Sequence, residues 1–303
     1  MKITVLGCGA LGQLWLVALS RQGHSVQGWL QVPQSVCAVD VISPQGQESR
    51  LQLPANNTAH LAASDLLLVT LKARQVSAAV RALLPQLQAD CAILLLHNGL
   101  GTREELPVLV QPLIMGTTTH AAHREEDKIH HVYAGTTRIG PGNSQAQQAS
   151  AIAQVLNQAL PEVTWHNNIT ASSWVKLTAN CVINPLTAIY DCCNGELESH
   201  VAEIEAICRE VAMVMDREGY HTHYESLLFY VSQVIRSTTD NISSMLQDVR
   251  AQRHSEIDYI NGYVLRRARA HRLSVPENQR LFDLVKRKEE SYGQNDSALS
   301  DRW

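Results

Sequence analysis

At 303 residues, with 45% hydrophobic and 18% charged side chains, the chain is long enough for two domains and too apolar for a disordered one. A formal net charge of -4 and only short basic clusters give no long-range attraction to nucleic acid or anionic lipid, so neither is expected as a partner. Seven cysteines, an odd count without a Cys-x-x-Cys pair, read as reduced thiols rather than a disulfide framework or a zinc knuckle. The N-terminus lacks the pattern of a secretory leader, and no run approaches the roughly 20 apolar residues of a membrane span. The expected compartment is cytoplasmic.

The first 167 residues alternate β-like and helical runs, the pattern of a parallel sheet flanked by helices. Strands are predicted at 2–6, 25–30, 65–71, 91–97 and 113–117, with helices at 10–21 and 73–87 between them. Right-handed crossovers make such an array a doubly wound domain. Two further β-rich runs, 129–133 and 136–139, are expected to extend the same sheet in mixed fashion, followed by a helix over 146–159. The domain boundary is placed near Asn167 and Asn168. Beyond it helical patterns take over, at 171–190, 201–218, 224–239 and 256–271, and a last helix begins at Pro276, a favoured first-turn residue. The polar tail over 291–303 has no apolar period and is expected to fray.

Gly7-Cys8-Gly9-Ala10-Leu11-Gly12 follows the first strand directly and opens a helix. In that position Gly7 serves the tight turn, Gly9 lets the backbone approach a pyrophosphate, and Gly12 allows close packing of helix on strand. The helix N-terminus adds N–H groups and a positive dipole end for the phosphates, so a dinucleotide site is expected in preference to a merely structural turn. An NAD enzyme usually ends its second strand with Asp or Glu on the ribose hydroxyls, whereas this strand ends Gly28-Trp29-Leu30-Gln31. No carboxylate repels a ribose phosphate there. Lys72 and Arg74 follow another strand end on the same side of the sheet, and NADP is therefore the expected cofactor. The alternative is that the two are solvated surface charges.

Lys176, Asn180 and Asn184 stand at i, i+4 and i+8 and so share one helix face, while most of their neighbours are apolar. Such a stripe must face a polar cleft or find internal partners. Hydride reduction of a ketone creates an alkoxide, and a partly desolvated ammonium with a lowered pKa supplies both the charge and the proton. The Asn side chains hold hydroxyl and carbonyl groups without adding charge. A stripe of surface polars with a snorkelling lysine is the bland alternative.

Together these segments, with His97-Asn98-Gly99-Leu100-Gly101, Pro185-Leu186-Thr187-Ala188, the run 241–248 and the run 256–262, resemble the ketopantoate reductases over nearly the whole chain. The resemblance implies a Rossmann-type, mostly parallel α/β domain that binds NADP (residues 1–167) and an all-α substrate domain (168–303). The reaction it implies is NADPH-dependent reduction of ketopantoate to pantoate, a step of pantothenate biosynthesis, by a monomer or homodimer. Carried over by position, it makes Lys176 the proton donor and a substrate contact, and sets Asn98 beside the nicotinamide and the substrate. Asn180, Asn184 and Asn194 become substrate contacts. The turn from Asn241 to Ser244, Ser244 chief among it, becomes the carboxylate site. Glu256 becomes the acidic residue on the nicotinamide side, counted with Lys176 as catalytic. Ala122 becomes a backbone contact to the cofactor, and Lys72 a contact near the adenosine phosphate. Gln31 departs from the pattern: close relatives carry Arg there, and an amide cannot pair with a phosphate dianion, so weaker NADPH binding is expected.

Histidines 130, 131, 221 and 223 have no third ligand at familiar spacing, so no metal is expected, and Cys192-Cys193 read as structural thiols. Two rival functions stay open at this level. Another two-domain hydroxyacid or polyol-phosphate dehydrogenase uses a similar Lys and Asn, although a phosphorylated substrate calls for several cleft cations rather than an Asn- and Ser-rich set. A catalytically silent NADP-binding sensor has no reason to keep Lys176 and Glu256 in register.

Overall fold

The computed structural model describes residues 1–292, which fall into two compact units. One comprises Met1–His97 with Thr102–Thr170, the other Asn98–Gly101 with the described residues from Ala171 to Tyr292. The division falls between Thr170 and Ala171, inside the first turn of a helix, and the 98–101 turn belongs with the second unit. The part of the expected fraying tail beyond residue 292 lies outside the described residues.

The first unit contains β1 (Lys2–Leu6), β2 (Ser25–Trp29), β3 (Val36–Ile42), β4 (Glu48–Pro54), β5 (Leu66–Val69), β6 (Ala92–Leu96), β7 (Leu113–Thr118), β8 (Ala121–Glu125), β9 (Lys128–Tyr133), β10 (Thr137–Pro141) and β11 (Val163–Trp165). Its helices are α1 (Ala10–Arg21), α2 (Thr58–Ala62), α3 (Ala73–Leu83), α4 (Thr102–Glu105) and α5 (Ala151–Ala159). Seven strands form the main sheet in the order β11-β10-β7-β6-β5-β1-β2. All neighbouring pairs are parallel except β7 and β10. Every residue of β5 and β6 is buried, which is why Leu66–Val69 and Ala92–Leu96 read as continuous apolar runs: both faces of a parallel sheet are covered. Leu6 is level with Trp29 of β2 on one side and Val69 of β5 on the other, so the chain leaves β1 in one direction and returns on its opposite flank. The C-terminal end of β1 is thus the switch point of the sheet, where ligands of open α/β sheets bind.

The run 129–133 does not extend this sheet. It forms β9 in a separate four-stranded sheet, β4-β3-β9-β8, whereas β10 joins the main sheet antiparallel to β7. Strands β3 and β4 were not anticipated; along β3, Cys37, Val39 and Val41 are buried, while Val36 and Ala38 are exposed and Asp40 and Ile42 half-buried. The second sheet packs on α1, which also lies against β1 and β2. Covered on both sides, α1 buries every residue from Gly12 to Leu19, the fate of a helix that is apolar all round. The helix expected over 146–159 is a 3-10 turn at Ser144–Gln148 followed by α5, with Asn143 capping the turn.

The second unit is helical: α6 (Ile169–Tyr190), α7 (Val201–Arg217), α8 (Tyr224–Ser237), α9 (Ser244–Arg250), α10 (Asn261–Ala270) and α11 (Pro276–Glu290). Trp174, Leu177, Val182 and Leu186 of α6 share one core with Ile207 and Val211 of α7, Val231 of α8, Val264 of α10 and Leu281 of α11. The helix expected from residue 256 begins only at Asn261. A 3-10 turn, Ile257–Tyr259, precedes it, and Ile260 leaves the helical region with φ -105° and ψ -98°. No helix of the described residues is long and apolar enough to cross a membrane.

Candidate active site

In the first unit the turn after β1 has the stereochemistry a dinucleotide loop needs. Gly7 has φ +96°, a region L side chains avoid, and its N–H donates to Trp29 O at 3.2 Å while its carbonyl accepts from Thr70 Oγ1 at 2.7 Å. A Cβ on Gly12 would lie 1.9 Å from that same carbonyl, so only glycine lets α1 start so close to the loop. On Gly9 a Cβ would meet nothing within 4 Å, and this residue heads α1 without a side-chain cap. The open side of the loop is therefore the side from which a phosphate reaches the backbone. Ala10 and Leu11 are half-buried in the first turn. Cys8 is half-buried as well; its hydrogen bond with Cys37, aided by burial, pushes its thiol pKa up, which keeps it neutral and places no anion against a pyrophosphate.

Gln13, unremarked in the sequence, is buried and holds the loop: its Nε2 donates to Cys8 O at 3.2 Å and its Oε1 accepts from Asp40 N at 3.3 Å. A lone amide in an otherwise apolar helix was the available signal. Gln31 and Lys72 follow the ends of β2 and β5, the two strands that flank β1 in parallel, so the register brings them to the edge that carries the glycine loop. Lys72 heads α3 and Arg74 lies in its first turn. Asn56, at φ 49°, shapes the segment bearing Gln31 by accepting from Leu30 N and Gln34 N and donating to Leu30 O at 2.8 Å. Ala122 stands on β8 of the second sheet, opposite His131 of β9. A bare loop edge, an uncapped helix start and a β2 end without a carboxylate together fit the phosphates of NADP.

In the second unit, three of the expected residues meet. Lys176 Nζ donates to Asn98 Oδ1 at 3.2 Å, and Asn98 Nδ2 donates to Glu256 Oε2 at 3.3 Å. The Asn98 amide thus bridges ammonium and carboxylate, with each end facing its complementary partner. Burial lowers the Lys176 pKa to about 8, and the charge of Glu256 opposes that shift. The 98–101 turn is seated on the 3-10 turn after Glu256: Leu100 N donates to Tyr259 O at 2.8 Å, and a Cβ on Gly99, which has φ +79°, would come within 2.3 Å of the same oxygen. Glu256 itself is positioned by a residue the sequence did not single out. The buried Glu289 of α11 accepts from Ser255 N at 2.8 Å and Ser255 Oγ at 2.7 Å.

Asn180 is half-buried one turn beyond Lys176, and Asn184 is buried a further turn on. Asn194 is buried, with only 6% of its surface exposed, and its N–H donates to Asn241 O at 3.0 Å. Asn241 and Ser244 are exposed on the turn leading into α9, whereas Ser243 is buried, caps α9 through Leu246 N, and accepts from Thr187 Oγ1 of α6 at 2.7 Å. The 241–244 turn is therefore tied both to α6, through Thr187, and to Asn194. Among the seven cysteines, all free, none belongs to this set.

The sequence profile of the family described as Ketopantoate reductase PanE/ApbA matches residues 3–144, and that of its C-terminal domain matches residues 168–289. The chain is 59% identical over 303 residues to the 2-dehydropantoate 2-reductase of Salmonella typhimurium, covering 100% of both chains. The enzyme of that name from Escherichia coli O157:H7 is also 59% identical, again over 100% of both. Among solved structures, a PanE/ApbA family ketopantoate reductase from Ralstonia eutropha superposes with a TM-score of 0.85 at 26% identity, over 96% of this chain and 99% of that one. Identity of this order across both units, together with the two matching family profiles, makes the protein a member of the ketopantoate reductase family.

Proposed function

We propose that the protein reduces ketopantoate to pantoate with NADPH, and that the first unit holds the cofactor and the helical unit the substrate. The observation that carries this reading is the hydrogen-bonded series Lys176–Asn98–Glu256. Bound NADPH supplies the hydride that adds to the ketone carbon. Lys176 supplies the proton: its N–H bond breaks as an O–H bond forms on the developing alkoxide, leaving a neutral amine that is recharged from solvent. A pKa of about 8 leaves the lysine mostly charged at neutral pH, yet makes it a stronger acid than an ordinary lysine at 10.5. Asn98 orients the ammonium and keeps it in reach of the Glu256 charge, which supports the protonated state.

Around that acid, Asn180, Asn184 and Asn194 bind the neutral polar groups of the substrate, and the 241–244 turn, chiefly Ser244, receives its carboxylate. Gly7 to Gly12, Lys72, Gln31 and the backbone of Ala122 bind the cofactor. The reading sets the reaction in the cytoplasm, in the pathway to pantothenate, with ketopantoate as the small-molecule partner and a monomer or homodimer as the acting form. Mixing the protein with NADPH and ketopantoate tests it: the NADPH absorbance should fall, and the fall should be lost in Lys176→Ala. Turnover that survives this substitution, or no turnover in the wild type, overturns the proposal.

A further inference from the structure

Asn194 carries one polar atom that the described residues leave unmatched. Its Nδ2 donates to Thr238 Oγ1 at 2.9 Å, while its Oδ1 is buried and has no hydrogen-bond partner among them. The direction of the first bond is dictated by Thr238, which has a single hydroxyl proton and spends it on Val234 O at 2.6 Å. Towards Asn194 that hydroxyl can therefore only accept, and only the amide NH2 satisfies it. The Oδ1 end is thereby held as an acceptor, and a buried acceptor without a donor is costly. The backbone fixes the rest: Asn194 N donates to Asn241 O, Asn241 N donates to Thr238 O, and Gly195 N donates to Thr239 O, so the 238–241 turn and the 194–195 segment cannot slide independently.

We infer that Thr238 is a positioning residue for specificity: it turns the Asn194 amide so that Oδ1 accepts the hydroxyl proton of the substrate. The inference rests on the proposed reaction. Of the three oxygen functions of ketopantoate, the carboxylate and the ketone accept only, and the terminal hydroxyl is the sole donor. A site that offers a lone buried acceptor therefore selects for that hydroxyl and against the otherwise identical acid that lacks it. Nothing in Thr238 itself touches the reacting atoms; it acts through Asn194.

The test compares kcat/KM for ketopantoate and for trimethylpyruvate, in which a methyl group replaces the hydroxymethyl, with NADPH and the full-length protein. In the wild type the preference for ketopantoate should be large. Thr238→Val keeps the side-chain shape, releases the amide and should reduce that preference by about tenfold or more, through KM for ketopantoate rather than kcat. Thr238→Ser should restore it. Asn194→Ala should reduce the preference as well, and the double variant Thr238→Val/Asn194→Ala should lose no more than Asn194→Ala alone. The inference is overturned if Thr238→Val slows both acids equally, if the double variant shows additive losses, or if the wild type does not distinguish the two acids. A wild type inactive on ketopantoate removes the proposed reaction and this inference with it, an outcome distinct from a retained reaction with an unchanged ratio.

Discussion

Asn261 Nδ2 donates to the main-chain carbonyl of Cys181 at 3.1 Å. That carbonyl is the i-4 acceptor for position 185, where α6 has a proline and therefore no N–H to offer. A fully buried asparagine from α10 thus supplies the donor that the helix lacks, midway along the stripe of Lys176, Asn180 and Asn184. Replacing it with leucine leaves the carbonyl unpaired and is expected to lower stability by about 1 to 3 kcal/mol, read as a lower urea midpoint. Part of that loss should vanish in a Pro185→Ala background, where the restored N–H serves Cys181. Additive losses across the double-mutant cycle would count against the compensation.

In the proposed reaction Lys176 acts as an acid, so only its charged form is competent, and with a pKa of about 8 the rate of reduction should be level below that pH and fall about tenfold per unit above it. Lys176→Ala should lower kcat by about a hundredfold to ten-thousandfold. The sign for stability is opposite. A lysine pKa depressed in the fold means that the unfolded chain holds the proton more tightly, so charging Lys176 costs stability at low pH and that cost disappears between about 8 and the ordinary 10.5. Lys176→Met should therefore raise the unfolding midpoint at pH 7 while abolishing turnover. A midpoint that falls would contradict the burial of the charge.

A third test lies at the end of β2. Gln31→Arg supplies a charged donor near a ribose phosphate and should tighten NADPH binding by about tenfold to a hundredfold, equivalent to about 1.5 to 3 kcal/mol, with little change for NADH. Equal gains for both nucleotides, or none, would place the phosphate elsewhere.

The glycines of the loop should separate stability from binding. Gly12→Ala puts a methyl group 1.9 Å from Gly7 O and should destabilise the first unit as well as weaken NADPH binding. A methyl on Gly9 meets nothing within 4 Å, so Gly9→Ala should melt like the wild type and lose affinity for NADPH alone. Thermal unfolding and a nucleotide titration distinguish the two, and unimpaired NADPH binding by Gly9→Ala would move the phosphates away from this edge.

Much of this was legible in the residues. The glycine spacing after the first apolar strand, the continuous runs of β5 and β6, and the i, i+4, i+8 stripe of α6 are local patterns whose periods report their own structure. The second sheet was not, since β3 pairs with β9 across a long stretch of sequence, and the β-rich run of β9 does not by itself say which sheet it joins. Nor was α9, whose seven residues are too few to show a period.

What the sequence by itself determined is the family, and with it the candidates for the loop and for the proposed acid, because these depend on residue types at fixed short spacings. Only the tertiary structure decided how those groups are held: Asn98 between Lys176 and Glu256, Glu289 under Ser255, Gln13 under Cys8, Thr238 against Asn194. Each is a hydrogen bond between elements distant in the chain or turned by packing. Its direction follows from which donors and acceptors are already spent, and no spacing along the sequence encodes that.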